Sequence, residues 1–261
     1  MQNRYVGDVG DFGKYGLLRA LCREGLRLGV VWYLTRPTPQ ERAKGDGGLI
    51  GYLDDTVYNS KHYRACDEAL WDALAKIVHE KRRNVKSIRK DEVLGKGCTF
   101  YEKRLFYCRS WSSERRRQFR SAWLKGALEK TAKCTAVFLD PDNGFQTPAL
   151  REFRRLGPKY VLFNEARPYL ERGQSLIVYQ HSNFSKTVDL QIQEMFCRIH
   201  KELPIGARPF AMPYRRGTSR TYFILPSCEE HHKALWDRAV VFAQGLWGKH
   251  GHFDQPIKSP L

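Results

Sequence analysis

Apolar residues fall along this chain in two patterns that alternate. One is a short unbroken run with no polar position inside it. The other is a longer stretch with apolar residues three and four apart. The unbroken runs are residues 29–35 (GVVWYLT), 136–139 (AVFL), 160–163 (YVLF), 174–180 (QSLIVYQ) and 221–225 (TYFIL). Runs rich in β-branched and aromatic residues, ending abruptly in turn residues, predict strands covered on both faces. Residues 99–107 and 209–214 read as further extended segments. Helical spacing covers 63–81, where Leu70, Trp71, Leu74, Ile77 and Val78 mark one face. It recurs over 112–133, with Ser112 or Ser113 as cap and Phe119, Trp123, Leu124 and Leu128 inward, and then over 188–203 and 229–247. Strands alternating with helices predict an α/β fold with a doubly wound, largely parallel sheet. The turn Arg215, Arg216, Gly217 before the last strand predicts one late antiparallel strand. Residues 1–247 read as a single domain, with a basic, mainly helical insertion at about 36–134. Residues 248–261 read as a polar, frayed tail.

The first segment breaks these patterns. Glycines fall at 7, 10, 13 and 16, with aspartates at 8 and 11. Each glycine inside a helix costs about 1 kcal/mol against alanine. The segment therefore predicts a loop that enters a helix near Phe12, with Asp11 as N-cap and free N–H groups at the helix start. It lacks the strand-first context of a dinucleotide fingerprint.

The strand at 136–139 ends at once in Asp140, Pro141, Asp142, Asn143 and Gly144. Open α/β sheets bind ligands at the carboxyl ends of their strands. Two carboxylates and a carboxamide at such an end form a candidate site. Oxygen ligands could also suit Mg²⁺ if Asp140, Asp142 and Glu165 stood at neighbouring strand ends. That metal alternative implies a nuclease or phosphohydrolase. Pro141-Asp142 followed by Glu165-Ala166-Arg167 is only faintly similar to a PD-(D/E)xK nuclease core, and an Asp-x-Asp after a strand also resembles haloacid-dehalogenase phosphatases.

Charge narrows the partner. The net charge is +17, and residues 81–130 carry sixteen Lys/Arg against five Asp/Glu, a local net of +11. A concentrated basic surface is the footprint of a polyanion. Arg115, Arg116 and Arg120, with Arg117, form its densest part and are read as outward-facing contacts to nucleic acid, RNA or DNA. Seven cysteines at scattered spacing, without a CxxC pair, indicate neither a disulfide framework nor a zinc site. No apolar run approaches the roughly 20 residues that span a bilayer, and the opening MQNRYVGD has no signal-peptide apolar region. A cytoplasmic protein without a membrane partner is expected.

Several of these pieces together resemble the single-domain bacterial ribosomal RNA adenine-N6 methyltransferases, which use S-adenosylmethionine, or a prokaryotic or phage branch of that family. Members open with G-x-x-x-D-x-x-K between aromatic or histidine residues; here Gly7, Asp11 and Lys14 match, flanked by Tyr5 and Tyr15. Their first strand ends in Tyr-Leu-Asp-Thr, here Tyr33, Leu34, Thr35, and their catalytic strand in Asp-Pro-Pro-Tyr, here Asp140, Pro141, Asp142, Asn143. The resemblance implies a Rossmann-like methyltransferase fold and adenosylmethionine bound at Tyr5, Gly7, Asp8, Asp11 and Lys14. It also implies methyl transfer to a base amino group held by Asp140 and the Pro141 carbonyl. Two features depart from the pattern. The glycine-rich loop after the first strand is replaced by RPTPQERAKGDGG, and the aromatic that receives the flipped base is Asn143. Phe145, Tyr5 and Tyr179 are candidates to replace that aromatic. A non-catalytic nucleic-acid-binding descendant of the fold is a further alternative.

Overall fold

A computed structural model describes residues 1–23, 25–40, 45–183 and 185–260. Residues 41–44 of the loop expected at 36–48 lie outside this set. A 3₁₀ turn at Asn3–Tyr5 leads into helix α1 (Val9–Leu21) and strand β1 (Leu28–Trp32). Helices α2 (Val57–His62), α3 (Glu68–His79) and α4 (Val85–Lys90) precede β2 (Thr99–Tyr101). Helix α5 (Ser113–Lys130), β3 (Ala136–Asp140), β4 (Gly144–Phe145) and β5 (Tyr160–Val161) follow. Then come α6 (Phe163–Glu171), β6 (Ser175–His181), α7 (Val188–Glu202), β7 (Phe210–Tyr214) and β8 (Arg220–Leu225). Helices α8 (Glu229–Gln244) and α9 (Leu246–Lys249) and strand β9 (Ile257–Lys258) close the chain.

The main sheet has the order β2-β1-β3-β6-β8-β7-β9. Strands β2, β1, β3 and β6 are parallel, and β8 runs antiparallel between β6 and β7. The predicted α/β architecture with a late antiparallel strand is therefore present. Both sheet faces are covered. Val30, Trp32, Phe138, Ile177, Tyr222 and Ile224 pack toward α1, α3, α4 and α8. Their sequence neighbours Val31, Tyr33, Val137, Leu139, Val178 and Phe223 pack toward α5, α6 and α7. Burial on both faces is why the strands read as unbroken apolar runs. The chain leaves β1 to form β2 on one side and returns as β3 on the other, so the sheet's switch point lies between the carboxyl ends of β1 and β3.

Several boundaries differ from expectation. The α1 cap is Asp8, whose side chain accepts from the Asp11 N–H at 2.8 Å, so the cap lies three residues before the predicted Asp11. The glycine beat lies inside this helix because it forms a contact face. A Cβ on Gly10 would stand 1.4 Å from Arg220, on Gly13 2.2 Å from the Tyr214 ring, and on Gly16 2.3 Å from the Trp247 ring. The helix predicted over 63–81 is broken by a 3₁₀ turn at Arg64–Cys66, with α3 capped by Asp67. The strand expected at 159–163 is the two-residue β5, paired with β4 outside the main sheet. The basic stretch at about 36–134 supplies β2 to the main sheet. The tail is packed, not frayed: β9 pairs with β7, and Phe253 is buried among Tyr214, Tyr222, Phe242 and Trp247. No helix among the described residues is long and apolar enough to cross a membrane.

Gly13→Ala tests the contact face. The Tyr214 ring is fully buried, donates its hydroxyl to the Val9 carbonyl at 2.5 Å, and cannot swing aside. Overpacking of this kind outweighs the gain in helix propensity. Urea unfolding should show a loss of about 1–3 kcal/mol; unchanged or increased stability would contradict the packing role.

Candidate functional site

Strand β3 ends in Asp140, opposite Trp32 of β1 in register and buried. Helix α1 crosses this end. Its Lys14 ammonium reaches Asp140 Oδ2 at 2.9 Å and Asp11 Oδ1 at 2.7 Å, and Tyr15 donates to Asp11 Oδ2 at 2.8 Å. The ammonium also lies within 6 Å of the Tyr15, Trp32 and Tyr179 ring centroids. Burial alone would lower the Lys14 pKa, but Asp11 and Asp140 reverse this and hold it charged. Burial raises the Asp140 carboxyl above its usual range, with Lys14 and the Met1 amine opposing the rise. Asp140 Oδ2 is taken by Lys14, while Oδ1 has no hydrogen bond to another described residue.

Two residues on, Asp142 is held by different groups. The Met1 amine lies 2.5 Å from Oδ1, Lys159 Nζ 3.0 Å from Oδ2, and Gln2 donates to Oδ2 at 2.9 Å. Thr35, just after β1, donates to the same oxygen at 3.3 Å. Burial opposes ionisation here too, but the Met1 amine and Lys159 prevail and hold this carboxyl well below the usual carboxylate range. The Met1 amine also donates to the Tyr33 carbonyl at 3.1 Å, so residues 1–2 occupy the switch point between β1 and β3. Asn143 ties the neighbouring strand end: its carbonyl accepts from the His181 N–H at 3.1 Å. Gly144 has φ +115, and Gln180 fills the place of its absent Cβ, only 2.2 Å away.

These elements enclose a cavity of about 320 Å³. Of the predicted cofactor residues, Tyr5, Asp8, Asp11 and Lys14 line it. So do all four strand-end residues, Asp140, Pro141, Asp142 and Asn143. Gly7 does not. It forms the positive-φ turn before the cap, packed under Val78, and its carbonyl accepts from the Tyr52 hydroxyl. Arg220, Lys159, His181 and Thr218 complete the wall. Arg220 and Lys159 carried no signal in the sequence beyond their place at strand starts. Four cations (Met1 amine, Lys14, Lys159, Arg220) face five carboxylates (Asp8, Asp11, Asp46, Asp140, Asp142) around this cavity. Burial, together with Arg220, lowers the His181 pKa. Of the candidate aromatics, Tyr5 and Tyr179 reach the cavity, whereas Phe145 is buried and stacked on Phe163 at 4.8 Å.

Two other groupings are not assembled. Glu165 lies in the first turn of α6, not at a strand end beside Asp140 and Asp142. Its oxygens pair with Arg120 at 2.5 and 2.8 Å and accept from the Leu162 N–H. Among the described residues no group of three His, Cys, Asp or Glu is placed to hold a metal ion. Arg120 is therefore not an outward contact. It is buried, also donating to the Gly157 and Tyr160 carbonyls. Arg116 is half-buried and bonds the Phe153 and Cys108 carbonyls, while Arg115 is exposed over the Trp111 ring.

No family model matches this chain, and no curated protein is significantly similar to it.

Asp8 makes the site's electrostatics measurable. Burial and the neighbouring Asp11 push its carboxyl up to about 6 from 3.8, against the pull of Arg220. The folded protein thus holds an extra proton between these values, and stability falls as pH rises through about 4–6. Asp8→Asn keeps the cap and removes the charge. The variant should exceed wild type by about 1–3 kcal/mol at pH 7.5 and match it at pH 4. Equal stability at both values in denaturant titrations would refute the buried-charge cost.

Proposed function

We propose that this protein is a cytoplasmic, S-adenosylmethionine-dependent methyltransferase acting on a base amino group of a nucleic acid. The observation that carries the reading is the meeting of Lys14 with Asp140. Two motifs 126 residues apart in the chain share one buried ion bridge and one cavity at the strand carboxyl ends. The cavity is at the small end of ligand sites. Its mixed lining of cations and carboxylates suits a zwitterion such as the amino-acid part of the donor. Lys14 and Arg220 would face its carboxylate, Asp8 and Asp11 its ammonium, and Tyr5 or Tyr179 offers an aromatic face to a base. When bound, the donor supplies an electrophilic methyl group.

The chain's own contribution is orientation. Asp140, with Oδ2 paired to Lys14, offers Oδ1 as an acceptor for an amino N–H, with the Pro141 carbonyl beside it. Fixing two N–H groups aims the nitrogen lone pair at the methyl group. The +11 segment supports a nucleic-acid partner, and the free state of all seven thiols is in keeping with a reducing compartment.

Calorimetry with adenosylmethionine and transfer of a labelled methyl group to mixed RNA and DNA provide the test. Wild type should bind the donor and gain melting temperature. Asp140→Asn leaves Lys14 paired with Asp11, so it should fold while losing transfer by about 10²–10⁴-fold. No heat and no thermal shift at millimolar donor, or full activity in Asp140→Asn, would defeat the reading.

A further inference from the structure

A second recess of about 590 Å³ lies at the carboxyl ends of β1 and β2. Its lining is Asn3, Thr35, Pro37 and four arginines, Arg4, Arg36, Arg83 and Arg104. Arg36 follows β1, and Arg104 follows β2, held there by the parallel bridge between Leu34 and Arg104. Arg83 is a strut. It donates to the carbonyls of Val6, Arg4 and Gly47, which brings in its charge without a carboxylate. Arg4 pairs with Asp46 and lies over the Tyr5 ring. Arg36 and Arg104 have exposed side chains and no hydrogen bond or ion pair to another described residue. Two forked cations thus flank a recess floored by a third, with no carboxylate among the described residues that line it.

The 3₁₀ turn at Asn3–Tyr5 is the partition between the two cavities. Tyr5 faces the first, and Asn3 and Arg4 face the second. Thr35 lines the second and hydrogen-bonds Asp142 of the first. A group held by Arg36 and Arg104 would therefore lie on the other side of this turn from the strand-end site. We infer that this recess binds a backbone phosphate of the nucleic-acid strand whose base enters the first cavity. The inference rests on the proposed nucleic-acid substrate and locates its backbone. Phosphate contacts position a strand without reading its sequence.

The test uses full-length protein, the double variant Arg36→Gln/Arg104→Gln, and fluorescein-labelled 12-nucleotide single strands of RNA and DNA in anisotropy titrations. Both arginines are exposed, so the melting temperature should hold. At 50 mM salt the variant should bind about tenfold more weakly, and its slope of log affinity against log salt should flatten by about 0.7, the value for one lost phosphate contact on a single strand. Wild-type affinity and slope in the variant, or no binding of either strand by wild type, would overturn the phosphate assignment. Inorganic phosphate raising the melting temperature of wild type but not the variant, with strand affinity unchanged, would reassign the recess to a free anion and equally overturn it. Adenosylmethionine calorimetry on both proteins separates the two readings: donor binding should be equal in each. Loss of strand affinity without any donor binding would keep the phosphate recess and discard the methyl-transfer reading.

Discussion

The Lys14 ammonium joins helix α1 to the end of β3, and it does so out of water. It satisfies Asp11 on its own helix and Asp140 on the strand at once. A buried pair of this kind gives little net stability over an apolar substitute, but losing one partner costs about 3–5 kcal/mol because a bare charge is left behind. Its effect is therefore on register and position. The bridge fixes the α1 N-terminus over the strand end, which keeps Asp8 and Tyr5 on the same cavity as Asp140.

That placement is possible only because α1 lies close to its neighbours. Gly10, Gly13 and Gly16 present a face with no side chains to Arg220, Tyr214 and Trp247. Close approach lets Lys14 reach Asp140, and it lets the Tyr214 hydroxyl reach the Val9 carbonyl. The propensity cost of three glycines is offset by this contact. The C-terminal tail completes the same region, since Phe253 packs on Tyr214 and Trp247. The polar look of residues 248–261 concealed this docking because a single phenylalanine, Phe253, with the buried His252 beside it, carries it.

The excess positive charge divides into structural and free parts. Arg120 and Arg83 are spent on internal acceptors, and Arg120 neutralises Glu165, which separates that carboxylate from Asp140 and Asp142. Arg36 and Arg104 stay exposed at one recess, and Arg115 stays exposed elsewhere, on α5. A run of basic residues thus overstates the continuous surface available to a polyanion.

The sequence by itself determined the order of the main strands and helices, the doubly covered sheet, a serine cap of α5 at Ser112 or Ser113 and the carboxylate-bearing end of β3. Each follows from local periodicity and from turn chemistry at the end of an apolar run, which are properties of neighbouring residues. It also marked Asp11, Lys14, Asp140, Asp142 and Tyr5 as site candidates, through spacing and resemblance. Only the tertiary structure decided which of them meet, and which do not. Periodicity reports that a residue is buried but not what it is buried against. Arg120 shares the buried face of its helix with Trp123 and Ala127, three and seven residues on, but local pattern does not reveal its partner Glu165, 45 residues away. Lys159 and Arg220 entered the cavity, and Gly7 and Phe145 left it, because crossover connections bring distant strand ends together. Those distances are set by packing across the sheet, and no local pattern encodes them.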